Sequence, residues 1–420
     1  MMLGKSKKRI NLYFHPFFKR KIPRKNSNDE NSNSISNINR TAILPNIYQS
    51  TKPNLNLSKQ RISPIKDYIL STIPTEPTLP FKGNNLKKNR SHIQSSATTK
   101  TILPKVSIVK SMKSSTRLLS AMKKEVQVIG DSQQGKDEYG NLKLNQDSYL
   151  IMKNIFDNSS YDIIGIFDGH GVNGKNVSTK LLKETKDYFS NVNNFCNTSS
   201  YVIFHKLIRH DYQFIKNFFD YLQDRLVFAD FDIHFSGSTC IILYIIAKHI
   251  ITANTGDSRG IIVSRQPNSK SSTVTQLSID HKPTLSKERE RIEKSNGIIS
   301  KDDDNGPYRV WQPGENYPGI AMSRSMGDLV AKQLGVIYQP EVTVREISSD
   351  DMYIVLASDG VWELVDNRTV MEIVNEYYRR RDPKGATRAL IEEASRRFDE
   401  INEARDDISV IVYFLNNQRL

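Results

Sequence analysis

Four short acidic signatures lie far apart in this chain, each at the end of an apolar run. They are Ile166-Phe167-Asp168-Gly169-His170-Gly171, Gly256-Asp257-Ser258-Arg259, Ala357-Ser358-Asp359-Gly360-Val361-Trp362-Glu363 and Ala404-Arg405-Asp406-Asp407-Ile408-Ser409. A carboxylate leaving a buried strand is unfavourable unless its charge is compensated, and carboxylate oxygens suit hard divalent cations such as Mg²⁺ or Mn²⁺. One Asp-Gly after a strand would mark only a turn. Repetition of the same context makes the four read as a single metal site, which the fold must gather in one place.

The apolar runs themselves predict strands. Cys240–Ala247 and Ile250–Ala253 are dense in β-branched residues and flank Lys248-His249, the pattern of a hairpin that delivers Gly256-Asp257 at its far end. The polar pair interrupts the run well short of the ~20 apolar residues of a membrane span, so no transmembrane segment is expected. Asp162–Phe167, Tyr353–Ala357 and Ile408–Phe414 are short and densely apolar, as strands buried on both faces would be. Between them, Val177–Phe189, Phe204–Leu226, Val370–Arg380 and Ala386–Phe398 carry apolar residues at spacings of three and four and predict helices. Strands that follow one another by hairpins in some places and through helices in others predict a mixed α+β layered domain. The segment from Thr284 to Gln339 has little apolar periodicity after its first helix, the mark of a long functional flap.

Charge divides the chain in two. Residues 1–124 hold 25 of the 60 Lys and Arg but only 4 of the 46 Asp and Glu, a balance of +21, whereas the remainder carries −7. The first 120 residues are rich in Ser, Asn, Lys and Pro with scattered apolar residues, so they are predicted to be a disordered basic tail. Its clusters Lys5–Arg9 and Lys19–Lys25 suit an anionic partner or a solvated tail equally. Gly4 rather than Gly at position two, and no following apolar stretch, argue against myristoylation and secretion. The two cysteines, Cys196 and Cys240, form no disulfide framework, which fits a cytoplasmic or nuclear protein. Neither has the Cys-x5-Arg spacing of a thiol-dependent phosphate loop, and no glycine-rich loop ends in Gly-Lys-Ser/Thr.

Eight ordered motifs between about residues 120 and 415 resemble the metal-dependent PPM-type protein Ser/Thr phosphatases, the protein phosphatase 2C family. They are Asn145-Gln146-Asp147, Phe167–Gly171, Ser236–Thr239, Asn254–Arg259, Asp280-His281-Lys282-Pro283, Ala321–Asp328, Ser358–Trp362 and Arg405–Asp407. The resemblance implies a phosphatase domain over 121–415, with 416–420 as a C-terminal end. Its expected fold is a four-layer α-β-β-α sandwich of two antiparallel sheets flanked by helices, with metals in a cleft at one edge.

The same resemblance implies roles. Asp168 matches the carboxylate bridging two Mg²⁺ or Mn²⁺ ions, Gly169 offers its carbonyl, and Asp359 and Asp406 match the remaining ligands. Asp257, with Asp359, matches a third, weaker metal position. Asp407, where the family often has Asn, is expected to support Asp406 from behind, as Asp147 supports the first motif. Gln146 stands where animal members often have Glu, and Glu363 where many have Asp. Lys143 is the base nearest the position of a phosphate-binding Arg, with a surface lysine as the alternative. Phosphate monoesters hydrolyse extremely slowly, so nucleophile and charge neutralisation must be supplied together. The resemblance implies attack by a metal-bridging water, with His170 as general acid toward the departing Ser or Thr. Phosphoproteins are the expected substrates, and a monomer the expected state. Two rival readings remain: a catalytically silent binding module, and a nucleic-acid-binding protein acting through its tail.

Overall fold

The computed structural model describes residues 127–155, 161–193 and 200–415, apart from 268, 270, 303, 305, 402 and 403. The basic tail, the C-terminal end and Cys196 lie outside the described residues. Ten strands build two five-stranded sheets: β1 (Val128–Gln133), β2 (Ser148–Met152), β3 (Tyr161–Phe167), β4 (Cys240–Ile246), β5 (His249–Thr255), β6 (Arg259–Arg265), β7 (Ser272–Gln276), β8 (Glu341–Glu346), β9 (Asp351–Ala357) and β10 (Ile408–Phe414). One sheet runs β1-β10-β9-β6-β7 and the other β8-β5-β4-β3-β2, with every neighbouring pair antiparallel.

Three apolar layers hold the sandwich together. Ile164, Ile166, Leu243, Ile245, Ile354, Leu356 and Ile411 fill the space between the sheets. On the outside of one sheet, Tyr161, Ile163, Phe167, Ile242 and Tyr244 pack against α1 (Gly174–Asn193) and α2 (Ser200–Val227) through Leu181, Phe189, Phe218 and Leu222. On the outside of the other, Tyr353, Val355, Val410 and Val412 pack against α3 (Asn367–Arg379) and α4 (Pro383–Ile401) through Val370, Val374, Leu390 and Ala394. Because successive residues of a strand point to opposite faces, β3, β4, β9 and β10 must be apolar at nearly every position to serve two layers at once. All four are buried along their whole length. The expected four-layer α-β-β-α architecture is the one observed. No helix among the described residues is long and apolar enough to cross a membrane.

Three local features differ from the sequence reading. The hairpin turns at Ala247-Lys248, with Ala247 left-handed (φ 49°), so His249 already belongs to β5. The helix expected over Phe204–Leu226 is broken at Arg209–Tyr212, where His210, Asp211 and Tyr212 have φ of 49°, 57° and 61°. Apolar spacing does not register the break, because Leu207 before it and Ile215 and Phe218 after it reach the same core. The flap is also more regular than expected. It contains a helix (Ser286–Lys294), an antiparallel sheet of Ile298–Lys301, Tyr308–Trp311 and Pro318–Ile320, and its own core of Ile292, Val310, Ile320, Met322, Leu334 and Val336. Those strands are three or four residues long, too short to impose a pattern on the sequence.

The flap is tied down by one buried carboxylate. Glu288 accepts hydrogen bonds from Arg291 (2.8 Å), Ser323 (2.8 Å) and Arg324 (2.7 Å). Burial alone would raise its pKa, but Arg324 and then Arg291 hold it well below the usual carboxylate range.

Candidate metal centre

The antiparallel register brings the four acidic signatures to one edge. In the ladders, Ile166 at the end of β3 pairs with Ile241, and Thr255 at the end of β5 pairs with Cys240. In the other sheet, Ala357 at the end of β9 pairs with both Val410 and Arg259. The Gly256-Asp257-Ser258 link passes from β5 in one sheet to β6 in the other. Asp168, Asp257, Asp359 and Asp406 therefore leave their strands at the same end of the sandwich.

Hydrogen bonds fix the loops that carry them. The Asp168 amide donates to Thr239 Oγ1 (3.0 Å), and the Thr239 amide donates back to the Asp168 carbonyl (2.8 Å). Thr239 Oγ1 also lies 2.8 Å from Ser258 Oγ, joining the first two signatures. Gly169 passes so close to the start of α1 that a Cβ there would lie 2.4 Å from the Gly174 carbonyl oxygen, so no larger residue fits. Asp359 opens the short Asp359–Trp362 helix, whose Trp362 indole donates to the Ala357 carbonyl (2.9 Å). Arg259 grips Asp280 with two hydrogen bonds (2.9 and 2.6 Å), donates to Asn367 (2.8 Å) and lies 5.0 Å over the Trp362 ring.

The carboxylates repel one another. Burial, then the charges of Asp147, Asp359, Asp406 and Asp257, push the pKa of Asp168 well above its ordinary value. Asp359 is raised in the same way, by burial and then by Asp257 and Asp406, although it shares a hydrogen bond with Asp168. Asp147 is pushed up to about 7, first by burial, with Asp407 adding to the effect. Among the described residues neither of its carboxylate oxygens nor Oδ1 of Asp257 has a hydrogen bond of good geometry, although the Ser409 and Ser358 hydroxyls work against the rise at Asp147. Among the described residues no three His, Cys, Asp or Glu side chains are already drawn together into a coordination shell. Asp147, Asp168, Asp257, Asp359 and Asp406 stand at this edge as hard oxygen donors, Asp257 paired with Lys282 and Asp406 near Lys143, and such a donor set fits divalent cations of the Mg²⁺ and Mn²⁺ kind.

Asp406 and Asp407 separate clearly. Asp407 is buried, and its two oxygens accept from the amides of Gly135 (2.6 Å) and Gln146 (2.7 Å). Asp406 is exposed; its Oδ1 accepts from the Asp407 amide (2.7 Å) and lies 3.6 Å from Lys143 Nζ. Gln146 donates through Nε2 to the Gly171 carbonyl (2.9 Å), a bond an ionised Glu could not make. Glu363 is exposed at the end of its short helix, its amide bonded to the Asp359 carbonyl (2.9 Å).

His170, facing Gly237 across a two-residue ladder, bonds through Nε2 to Asp328 Oδ2 at 2.8 Å. A Cβ on Gly237 would lie 2.0 Å from that Asp328 oxygen, so glycine makes the approach possible. Burial disfavours the imidazolium, yet Asp328 raises the His170 pKa above its ordinary value. Asp328 is itself lowered against burial by His170 and then by Lys332. Lys332 is half-buried, donates to the carbonyl (2.8 Å) and Oγ (3.1 Å) of Ser325, and has its pKa brought down to about 8, mainly by desolvation of the ammonium. The sequence reading gave no role to Asp328 or to Lys282, whose Nζ lies 2.5 Å from Asp257 Oδ2. Both sit inside motifs of the resemblance, the one signal that could have marked them.

Comparison with known proteins agrees with this geometry. The family described as "Protein phosphatase 2C" matches residues 138–400. Over 297 residues the chain is 32% identical to "Probable protein phosphatase 2C 73" of Arabidopsis thaliana, covering 66% of this chain and 77% of that protein. It is 39% identical over 192 residues to "Probable protein phosphatase 2C 12" of Oryza sativa subsp. japonica, covering 45% of this chain and 48% of that protein. Its fold resembles that of a serine-threonine phosphatase 2C from Toxoplasma gondii, with a TM-score of 0.57 at 18% identity over 69% of this chain and 94% of the other. The chain belongs to the protein phosphatase 2C family and is a protein serine/threonine phosphatase, a phosphoric monoester hydrolase.

Proposed function

We propose that this phosphatase hydrolyses phosphoserine and phosphothreonine in proteins by direct transfer of the phosphoryl group to water. In this reading Asp168, the Gly169 carbonyl, Asp359 and Asp406 hold two Mg²⁺ or Mn²⁺ ions, and His170 is the general acid. The observation that carries it is the strand register that brings Asp168, Asp257, Asp359 and Asp406 to one end of the sandwich. Like charges gathered at a half-buried edge need a counter-charge, and the oxygen-only donor set favours hard divalent cations. When bound, the two cations supply Lewis acidity and offset the charge of the phosphoryl group.

The protein's own residues do the rest. Asp407 and Asp147 support the metal ligands from the protein side, and Asp407 orients the loop of Gly135 and Gln146 through two amide bonds. Asp328 holds Nε2 of His170 and favours the imidazolium. The ring then carries the proton for the departing Ser or Thr oxygen. Lys143, beside Asp406, supplies a positive charge for the substrate phosphate. Cys240 is buried in the core with its thiol pushed well up by burial, so it does not compete as a nucleophile.

The test is phosphate release from a phosphothreonine peptide with Mn²⁺ supplied. Activity should vanish on chelation and in Asp359→Asn. An inactive wild-type enzyme, or full activity in the presence of a chelator, would sink the reading.

A further inference from the structure

Next to the acidic edge, the loop before Ser236 and a turn of the flap each hold an aromatic ring out of the core. Phe235 is 51% exposed and Tyr317 36%, and their rings meet edge to face, with centroids 5.8 Å apart and planes at 87°. The two rings come from separate segments, so their contact joins the flap to the loop beside His170. Val172, two residues after His170, is 92% exposed.

One exposed apolar residue would call for no explanation. Here the backbone beneath the rings is fixed. The carbonyls of His234 and Ser236, on either side of Phe235, accept from the amides of Val330 (3.1 Å) and Asp328 (3.0 Å), and Ser236 Oγ accepts from the Asn173 amide (3.0 Å). Gly171 approaches so closely that a Cβ there would lie 2.2 Å from the Phe235 carbonyl oxygen. Gly237, two residues after Phe235, is the ladder partner of His170. On the flap side, the Tyr317 carbonyl accepts from the Gln312 amide (2.8 Å), which closes the turn that carries the ring. The aromatic pair therefore holds a set position relative to the His170 strand.

We propose that Phe235 and Tyr317 are specificity-determining residues that receive an apolar side chain of the phosphoprotein, close in sequence to its phosphorylated Ser or Thr. A phosphoryl ester that reaches His170 brings its flanking peptide across the adjoining surface, and that surface is aromatic where the flap meets the Phe235 loop. Exposed rings offer a large apolar contact area, whereas a charged side chain laid against them would lose water without gaining a partner. The inference rests on the assignment of His170 to the departing oxygen, and it deepens that reading by naming which feature of the substrate is selected.

The test compares phosphothreonine peptides that differ in a single residue, Leu, Ala or Glu, placed at each neighbouring position in turn. The intact chain is assayed with Mn²⁺, and kcat/KM is measured for each peptide. Wild-type enzyme should prefer Leu to Ala by about 10-fold at one such position, the low end of what an apolar contact discriminates, and Glu there should be poorest. Phe235→Ala and Tyr317→Ala should each bring the Leu-to-Ala ratio toward one, and Phe235→Leu should retain part of it. Both peptides report on one preparation, so a partly unfolded variant lowers both rates without moving their ratio. Equal rates for Leu and Ala at every position in wild type overturn the proposal, as does an unchanged ratio in both alanine variants. A wild-type enzyme that hydrolyses none of the peptides overturns the reading of the site as well, which separates the two failures.

Discussion

Nε2 of His170 lies 2.8 Å from Oδ2 of Asp328, a residue 158 positions later, and each holds the other in its charged form. The pairing gives Asp328 a defined job: it orients the ring and favours its protonated form. Asp328→Asn retains the shape but removes the charge. We expect kcat to fall by up to about 10²–10⁴-fold with little change in KM, the range general acids contribute. The alkaline limb of the pH–rate profile should move to lower pH. An unchanged profile would show that Asp328 has no influence on the proton.

The same pair sets a pH dependence of stability. Asp328 is lowered, so its contribution is present above the ordinary carboxylate value and lost as pH falls through its folded pKa. His170 is raised, so its contribution is complete below the ordinary histidine value and lost as pH rises through its folded pKa. The window of full benefit runs from about pH 4 to about pH 6.5. Thermal melts of Asp328→Asn should lose most relative to wild type inside that window.

The metal-free carboxylate cluster acts in the opposite direction. Asp147, Asp168 and Asp359 are raised in the fold, so the folded protein keeps protons that the unfolded chain has released. Stability without metal should therefore decline as pH rises above about 4. Mg²⁺ should flatten that slope, because a cation then takes over from the protons. Melting curves with and without Mg²⁺ check this, and Asp147→Asn should reduce the slope in the chelated protein.

Asp406 and Asp407 are neighbours in sequence with different duties. Asp407→Ala leaves the Gly135 and Gln146 amides without their carboxylate partner and should destabilise the fold by about 1–3 kcal/mol. Its effect on metal affinity should be a loss of about 10–100-fold. Asp406→Asn should leave the melting temperature nearly unchanged while reducing Mn²⁺ affinity at least as strongly. Reversed stability effects in the two variants would reverse the assignment.

The space between the sheets is insulated from the chemistry. Leu243 is fully buried there, and Leu243→Ala should cost about 2–5 kcal/mol in denaturant unfolding. The kcat of the remaining folded enzyme should be unaffected.

Much of this molecule was legible in one dimension. Strands such as Ile408–Phe414, buried on both faces, must be apolar at every position, and that requirement writes itself into consecutive residues. Amphipathic helices do the same with a different period. Acidic residues at the ends of such runs then mark where a charge leaves the core. The flap's small sheet and the break at Arg209–Tyr212 left no comparable trace, because neither changes which residues are apolar. Only tertiary structure decided the pairings. His170 meets Asp328 because Gly237 makes room, Asp407 reaches Gly135 across 272 positions, and Lys282 meets Asp257 through a loop clamped by Arg259 and Gly256. A side chain's type and neighbours in sequence fix its chemistry. The partner that consumes that chemistry is fixed by strand register and loop packing, which bring together residues with no local relation.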